Sequence, residues 1–338
     1  MILKAKDSGA DAVKFQTFKA DNLVNKKLSQ AKYQQINYSQ ASQYKMLKKL
    51  ELSQVKHKSL KQLCKKIDIE FMSSPFDKES LDFLVNEIEI RIVKVPSGEI
   101  VNPELLTAVG NYDLKTILST GMSNKKEIDA ALGCLFFGKS KNSLNKQSSI
   151  DYFQKLSKTD LAKIWLKDKC TILHCTSNYP APSEELNLNV IKNLSKSYPC
   201  NIGYSDHSKG INASLIAVAL GATVIEKHFT TNKKLPGPDH KASLSPTEFN
   251  SLVKNIRLTE EMLGSSYKKP TYSESDTRIY ARRSLVASMD IPKGSNFSFK
   301  NLSFMRAGNG ISPMNIGRLI STKASKAYKE GDLIVEEI

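Results

Sequence analysis

Two histidines stand where a pair of imidazoles can share one metal ion. His207 closes an apolar run that begins at Asn201, and His228 closes a second run that begins at Ala222. Between them, Ile211 to Leu220 is apolar and alanine-rich, which reads as a helix. Strand, helix, strand is the repeating unit of a parallel sheet, and adjacent parallel strands bring their C-terminal ends side by side. Two imidazoles with open positions and oxygen donors nearby suit Mn2+, Mg2+ or Co2+ better than a structural zinc, for which the sequence has no cysteine cluster. Such a cation acts as a Lewis acid on a carbonyl.

The other apolar runs end in residues of related chemistry. Lys14 and Gln16 lie at the end of the first, Ser73, Ser74 and Phe76 at the second, and Lys94, Ser97 and Glu99 at the third. Ser119 and Thr120 follow, then His174, Ser177 and Tyr179, while Ser205 and Asp206 precede His207 and Glu226 precedes His228. A lysine inside an apolar strand is costly unless paired. Lys14 and Lys94 are therefore expected to face an anion, or else to snorkel to the rim. The hydroxyls of Ser74, Ser97, Ser119 and Ser205 can donate to phosphate or carboxylate oxygens. Glu99 and Glu226 are acid–base candidates, although Glu226 equally suits pairing with a neighbouring lysine. His174 reads as core or as support behind the site. The set describes a pocket for a phosphorylated, carboxylated substrate beside a divalent cation.

The elements that must position these residues follow from periodicity. Residues 1–12 read as the tail of a helix closed near Gly9. Short apolar strands are expected at 13–18, 69–74, 91–95, 116–121, 170–176, 201–207 and 222–228. Helices are expected at 40–66, 78–88, 103–110, 124–137, 157–167, 184–197, 211–220 and 246–263, with an inserted loop at 139–149. Strands alternating with helices imply right-handed βαβ units and a parallel sheet. The fold class is α/β, a (β/α)8 barrel whose first strand would lie upstream of Met1, since only seven strands are legible. An open doubly wound sheet is the alternative, but no GxGxxG follows a strand. The barrel domain spans 1–263. Residues 264–277 read as a linker, and 278–338 as a small β-rich domain with turns at 291–294 and 329–332.

Composition narrows the partners. The 338 residues are 40% hydrophobic and 25% charged, ordinary for a globular protein. The net charge of +16 comes from lysines spread along the chain, with no nucleic-acid-binding motif, so nucleic acid is not an expected partner. An anionic small substrate is compatible with it. No run approaches a membrane span, the first residues do not resemble a secretory signal, and the five scattered cysteines have the pattern of free thiols. A cytoplasmic location is expected.

With these residues in view, the sequence resembles the N-acetylneuraminate (sialic acid) synthases. The resemblance is carried by Lys14-Phe15-Gln16, Ser73-Ser74-Pro75-Phe76, Lys94-Val95-Pro96-Ser97-Gly98-Glu99 and Ser119-Thr120-Gly121-Met122. It continues through His174-Cys175-Thr176-Ser177-Asn178-Tyr179-Pro180, Gly203-Tyr204-Ser205-Asp206-His207, Glu226-Lys227-His228-Phe229 and Gly237-Pro238-Asp239-His240. The tail, with Arg306-Ala307-Gly308-Asn309-Gly310-Ile311, is similar to their C-terminal antifreeze-like (SAF) domain. The resemblance implies condensation of phosphoenolpyruvate with an N-acetylhexosamine such as N-acetylmannosamine, giving a nine-carbon 2-keto sugar acid and phosphate. It implies a metal, Mn2+ foremost, on His207 and His228. Lys14, Ser74, Lys94, Ser97, Ser119, Ser177 and Ser205 match positions that hold phosphoenolpyruvate, with Phe76 beside them. Gln16, Glu99, Tyr179 and Asp239 match positions near the sugar, and Gln16, Glu99 and Glu226 form the implied catalytic set. Arg306 and Tyr280 match residues that reach the sugar site of the other subunit in a domain-swapped homodimer. The chain departs from the pattern in three places. The family's first strand, with its EIGxNHxG-like motif, is absent. Ser177 stands where some members have Asn, and Ala307 where many have Pro. The alternative reading is a non-catalytic member of the family.

Overall fold

The computed structural model describes residues 1–31, 34–35 and 42–335. They divide into two units, 1–264 and 265–338.

In the first unit the predicted strands form β1 (Ala12–Thr17), β2 (Glu70–Pro75), β3 (Ile92–Val95), β4 (Lys115–Ser119), β5 (Cys170–Cys175), β6 (Asn201–Asp206) and β7 (Ile225–Lys227). All neighbours are parallel and the order is sequential, β1 to β7. The sheet curls strongly. Its two edge strands are farthest apart in order, yet Lys14 of β1 reaches Glu226 of β7 at 3.6 Å. The architecture is α/β with a curled seven-stranded parallel sheet, a partial barrel.

Side chains alternate across this sheet as the pleat requires. Phe71, Val93, Val95, Leu118, Ile172, Ile202 and Tyr204 point outward and are buried with the covering helices in one hydrophobic core. Fully burying each such side chain contributes about 1.5–3 kcal/mol. The opposite set, Lys14, Gln16, Ser74, Lys94, Ser119, Ser205 and Glu226, is left for the interior. A polar link also ties the outer face of the first two strands, where Thr17 Oγ1 lies 2.8 Å from His57 Nε2 and 2.7 Å from Ser73 Oγ.

Several helices differ from the sequence expectation for local reasons. The single helix expected at 40–66 is two, Gln43–Leu50 and Gln54–Lys66, because Ser53 caps the second by accepting from Lys56 N–H; residues 40 and 41 lie outside the described residues. The segment expected as a loop at 139–149 is followed by an unforeseen helix, Ile150–Ser157, capped by Ser149. Only Val190–Ser197 of the expected 184–197 helix is α-helical, preceded by a 3-10 turn at Ser183–Glu185. The Pro246–Leu263 helix stands as expected, opened by a capping box between Ser245 and Glu248. Helices Pro103–Tyr112 and Lys125–Lys139 touch backbone to backbone. A Cβ at Gly110 would lie 1.9 Å from Leu135 O, and one at Gly138 2.0 Å from Thr107 O.

The second unit has its own core of Leu285, Ile291, Phe297, Leu302, Leu319, Tyr328 and Ile334. β8 (Ser284–Ala287) pairs antiparallel with β9 (Leu302–Met305), and isolated bridges tie Val286 to Leu333 and Ile291 to Tyr328. A helix, Glu274–Ala281, occupies the end of the stretch that reads as a linker.

Candidate active site

The interior of the partial barrel holds a cavity of about 860 Å3. Met72, Ile117 and Leu173 contribute apolar walls, and Lys14, Gln16, Glu226, His228 and Asp239 also line it. Its charge centre is Glu226. Lys94 Nζ lies 3.2 Å from Oε1 and Lys14 Nζ 3.6 Å from Oε2, while the Ser205 hydroxyl donates to Oε1 at 2.8 Å. Burial opposes the Glu226 charge, but the two ammonium groups and the Ser205 hydroxyl hold its carboxyl well below the usual carboxylate range. A carboxylate held this way is a poor base, so of the two roles left open for Glu226 the geometry favours the lysine partner. Lys94, whose side chain is 6% exposed, has its pKa lowered by burial despite the Glu226 charge.

Register sets Gln16 beside Ser74 and Ser73 beside Val93, so Gln16, Ser74 and Lys94 fall in one row on the inner face. The hydroxyls of Ser74 and Ser119 are fully buried and have no hydrogen-bond partner among the described residues. Buried donors are nearly always satisfied, so two left open on the face that bears Lys14 and Lys94 suit an incoming acceptor; the Tyr204 hydroxyl, on the opposite face, is open as well. Next to them the Gly121 N–H donates to Ser97 Oγ at 3.0 Å. Cys175 Sγ lies 3.8 Å from Ser97 Oγ and 3.9 Å from Ser177 Oγ. Gly121 is required by space here, because a Cβ would sit 2.1 Å from Ser177 Oγ and 2.9 Å from Ser97 Oγ.

The histidines meet as the strand–helix–strand pattern predicts. Their ring centroids are 5.4 Å apart and nearly perpendicular. Tyr179 packs on both, at 4.2 Å from His207 and 5.3 Å from His228. His207 donates from Nδ1 to the Thr176 carbonyl at 2.7 Å, which leaves the Nε2 lone pair available. His228 Nδ1 lies 3.6 Å from Asp239 Oδ2. Burial lowers both imidazoles' pKa; that of His228 falls to about 3, helped by His207 and Lys14. Both rings are thus neutral at pH 7, the form that coordinates a metal. Among the described residues no cluster of three or more His, Cys, Asp or Glu has metal-binding geometry. The two neutral imidazoles, with ring centroids 5.4 Å apart, are the donors the chain offers there, a set that fits a divalent cation completed by oxygen ligands from outside the chain.

Two further carboxyls are shifted upward by burial. Burial raises Asp239 to about 6, and it raises Glu99, which accepts from Asn102 Nδ2 at 2.7 Å. Phe76 packs edge-on against Phe18 at 5.7 Å. His174 lies behind the site, donating to the Leu186 carbonyl at 2.7 Å and stacking on Tyr204. Tyr280 and Arg306 are exposed on the second unit. Sequence reasoning missed the roles of Gly121, Cys175 and the Thr176 carbonyl. Gly121 had a usable signal, a glycine closing a strand amid serines; a backbone carbonyl leaves none.

Fold and site together define an α/β partial barrel with two lysines, a buried glutamate and a histidine pair toward the C-terminal ends of its strands. The NeuB family profile matches residues 1–268. The chain is 44% identical over 337 residues to the N,N'-diacetyllegionaminic acid synthase of Campylobacter jejuni, covering 99% of this chain and 93% of that one. It is 41% identical over 340 residues to the enzyme of the same name from Legionella pneumophila, covering 100% and 88%. Among solved structures, the N-acetylneuraminic acid synthetase of Leptospira borgpetersenii superposes with a TM-score of 0.65 at 31% identity, covering 82% of each chain. This protein belongs to the NeuB family. No helix among the described residues is long and apolar enough to cross a membrane.

Proposed function

We propose that the protein is a synthase that joins phosphoenolpyruvate to an open-chain N-acetylated amino sugar, releasing phosphate and a nine-carbon 2-keto sugar acid. The observation that carries this reading is the pair of unpartnered buried hydroxyls, Ser74 and Ser119, on the face that bears Lys14 and Lys94. Two cations and open donors suit a substrate with both a phosphate and a carboxylate. His207 and His228 would hold the divalent cation, Mn2+ or in its place Mg2+ or Co2+, which supplies Lewis-acid polarisation of the sugar carbonyl.

The chain's own residues supply the rest. Lys14 and Lys94, balanced by Glu226, place positive charge where the enol phosphate is held. Ser97, Ser177 and Ser205 surround the same pocket. C3 of the enol forms the new bond to the sugar aldehyde carbon, water adds to C2, and the C2–O bond to phosphate breaks. Glu99 and Asp239, carboxyls with raised pKa, are suited to hold the protons exchanged with the sugar oxygen and the water, with Gln16 and Tyr179 orienting the sugar. The names of the two relatives above 40% identity support an acceptor bearing two acetylated amines; N-acetylmannosamine is the second choice. Residues 278–338 would act as a SAF-type domain, presenting exposed Arg306 and Tyr280 to the other subunit of a homodimer. A cytoplasmic setting agrees with five free cysteines.

The test is phosphate release. Release is expected only when phosphoenolpyruvate, an N-acetylated amino sugar and a divalent cation are all present. No release with either acceptor, while phosphoenolpyruvate still binds, would replace this reading with that of a non-catalytic member of the family.

A further inference from the structure

One buried ion pair is not used by the chemistry above. Asp206 and Lys227 face each other in the last rung of the β6–β7 ladder. Lys227 Nζ lies 2.9 Å from Asp206 Oδ2, and the two side chains are 1% and 0% exposed. Each immediately precedes a histidine of the pair, and alternation places both on the face of the sheet opposite Ser205 and Glu226. Neighbouring serine groups bond to both partners. Asp206 Oδ1 accepts from the Ser208 N–H at 2.8 Å and its hydroxyl at 2.7 Å, Oδ2 accepts from the Ser214 hydroxyl at 2.6 Å, and Lys227 Nζ donates to the Ser208 carbonyl at 2.7 Å.

We infer that the Asp206–Lys227 pair is a positioning device that sets the spacing and orientation of His207 and His228 for a divalent cation. This rests on the metal reading of those histidines. A buried ion pair is often no more stabilising than apolar residues of the same volume. What it has that an apolar pair lacks is direction. β7 is only three residues long and is an edge strand, bonded to β6 alone. Beyond its last rung the β6–β7 ladder ends; the His207 carbonyl accepts from the Ala181 N–H at 3.0 Å and the His228 carbonyl from the Leu244 N–H at 2.9 Å, so each histidine is tied to a different segment and not to the other. The ion pair, with Ser208 and Ser214, locks that rung from behind. Groups that orient metal-ligating histidines commonly alter affinity by tenfold or more when removed.

The test reads metal binding directly, by equilibrium titration of Mn2+ followed through the electron paramagnetic resonance of the free ion, without substrates. The double variant Asp206→Asn with Lys227→Met removes both charges together and keeps an acceptor for the Ser208 N–H. It is expected to unfold cooperatively and to bind Mn2+ about tenfold more weakly or worse. Ser214→Ala, a milder change, is expected to weaken Mn2+ by less than the double variant does but by clearly more than about twofold, as one of the pair's supporting bonds is lost, with a melting temperature near that of the unmodified protein. Ser214→Ala decides the matter if the double variant does not fold. Mn2+ affinity within twofold of the parent in the folded variants overturns the inference. If His207→Ala leaves the parent's Mn2+ binding unchanged, the metal reading itself has failed and the positioning role falls with it.

Discussion

Replacing Glu226 with glutamine tests the charge centre of the site. The substitution keeps the shape and a hydrogen-bond acceptor for Ser205, but among the described residues it removes the only carboxylate within ion-pair distance of Lys94 or Lys14. Lys94, 6% exposed, is then a buried cation facing a second cation. Removing one partner of a buried pair costs about 3–5 kcal/mol, and the partial exposure of Glu226 and Lys14, 17% and 22%, argues for the lower end, about 3 kcal/mol. At about 2.1 cal/mol/K per residue, the first unit of 264 residues unfolds with an entropy of about 0.55 kcal/mol/K. Its melting temperature should therefore fall by about 5 °C. Inorganic phosphate provides the diagnostic. An anion seated between the lysines substitutes for the lost carboxylate, so millimolar phosphate should return more stability to Glu226→Gln than to the parent. Thermal unfolding followed by calorimetry, with and without phosphate, reads both effects. A drop under 1 °C, or equal stabilisation of both proteins by phosphate, would refute the assignment of Lys14, Lys94 and Glu226 to one anion-binding centre.

Three other outcomes follow from geometry. Gly121→Ala adds a methyl that meets Ser177 Oγ at 2.1 Å, and since Gly121 is not among the positive-φ glycines the change probes space alone; overpacking of about 1–3 kcal/mol should raise KM for phosphoenolpyruvate roughly tenfold or more, and a KM within twofold would count against the cradle. Ser74→Ala and Ser119→Ala each remove a buried donor that has no partner, so denaturant titration should show stability unchanged or raised while phosphoenolpyruvate binding weakens; a loss of stability equal to the loss of binding would mean a structural role. Glu248 has its pKa lowered to about 2 against opposing burial, by Lys233 and by Ser245. Its contribution is present above its unfolded pKa and is lost as pH falls toward 2, so Glu248→Gln should flatten the acid limb of the stability profile, as monitored by thermal unfolding between pH 5 and 2.

The order of strands and helices was readable because the strands are short apolar runs with polar residues at or just past their ends, and eight of the described α-helices open on a capping Ser, Thr, Asp or Asn, as at Ser53, Asp77, Asn102 and Ser245. The histidine pair was readable for the same reason, as both rings follow directly from strand ends. What could not be read depended on distance in space. The meeting of Lys14 with Glu226 requires the curl of the sheet, which is a sum of small twists with no local signature. The break at Ser53 and the helix beginning at Ile150 were hidden because serine is equally common in turns and at helix starts. The direction in which Lys227 points is set by pleat parity. One residue's shift in register would have turned it to the face that bears Lys14 and Lys94, and Glu226 to the opposite one.

Gly110 and Gly138 touch no part of the pocket, yet each leaves no room for even a methyl group. Their substitution record should look like that of catalytic residues, since both kinds of position tolerate almost nothing. Intolerance alone is therefore a poor guide to chemistry in this fold. At these two glycines it measures how closely two helix backbones approach, and at Ser74 it measures what must bind.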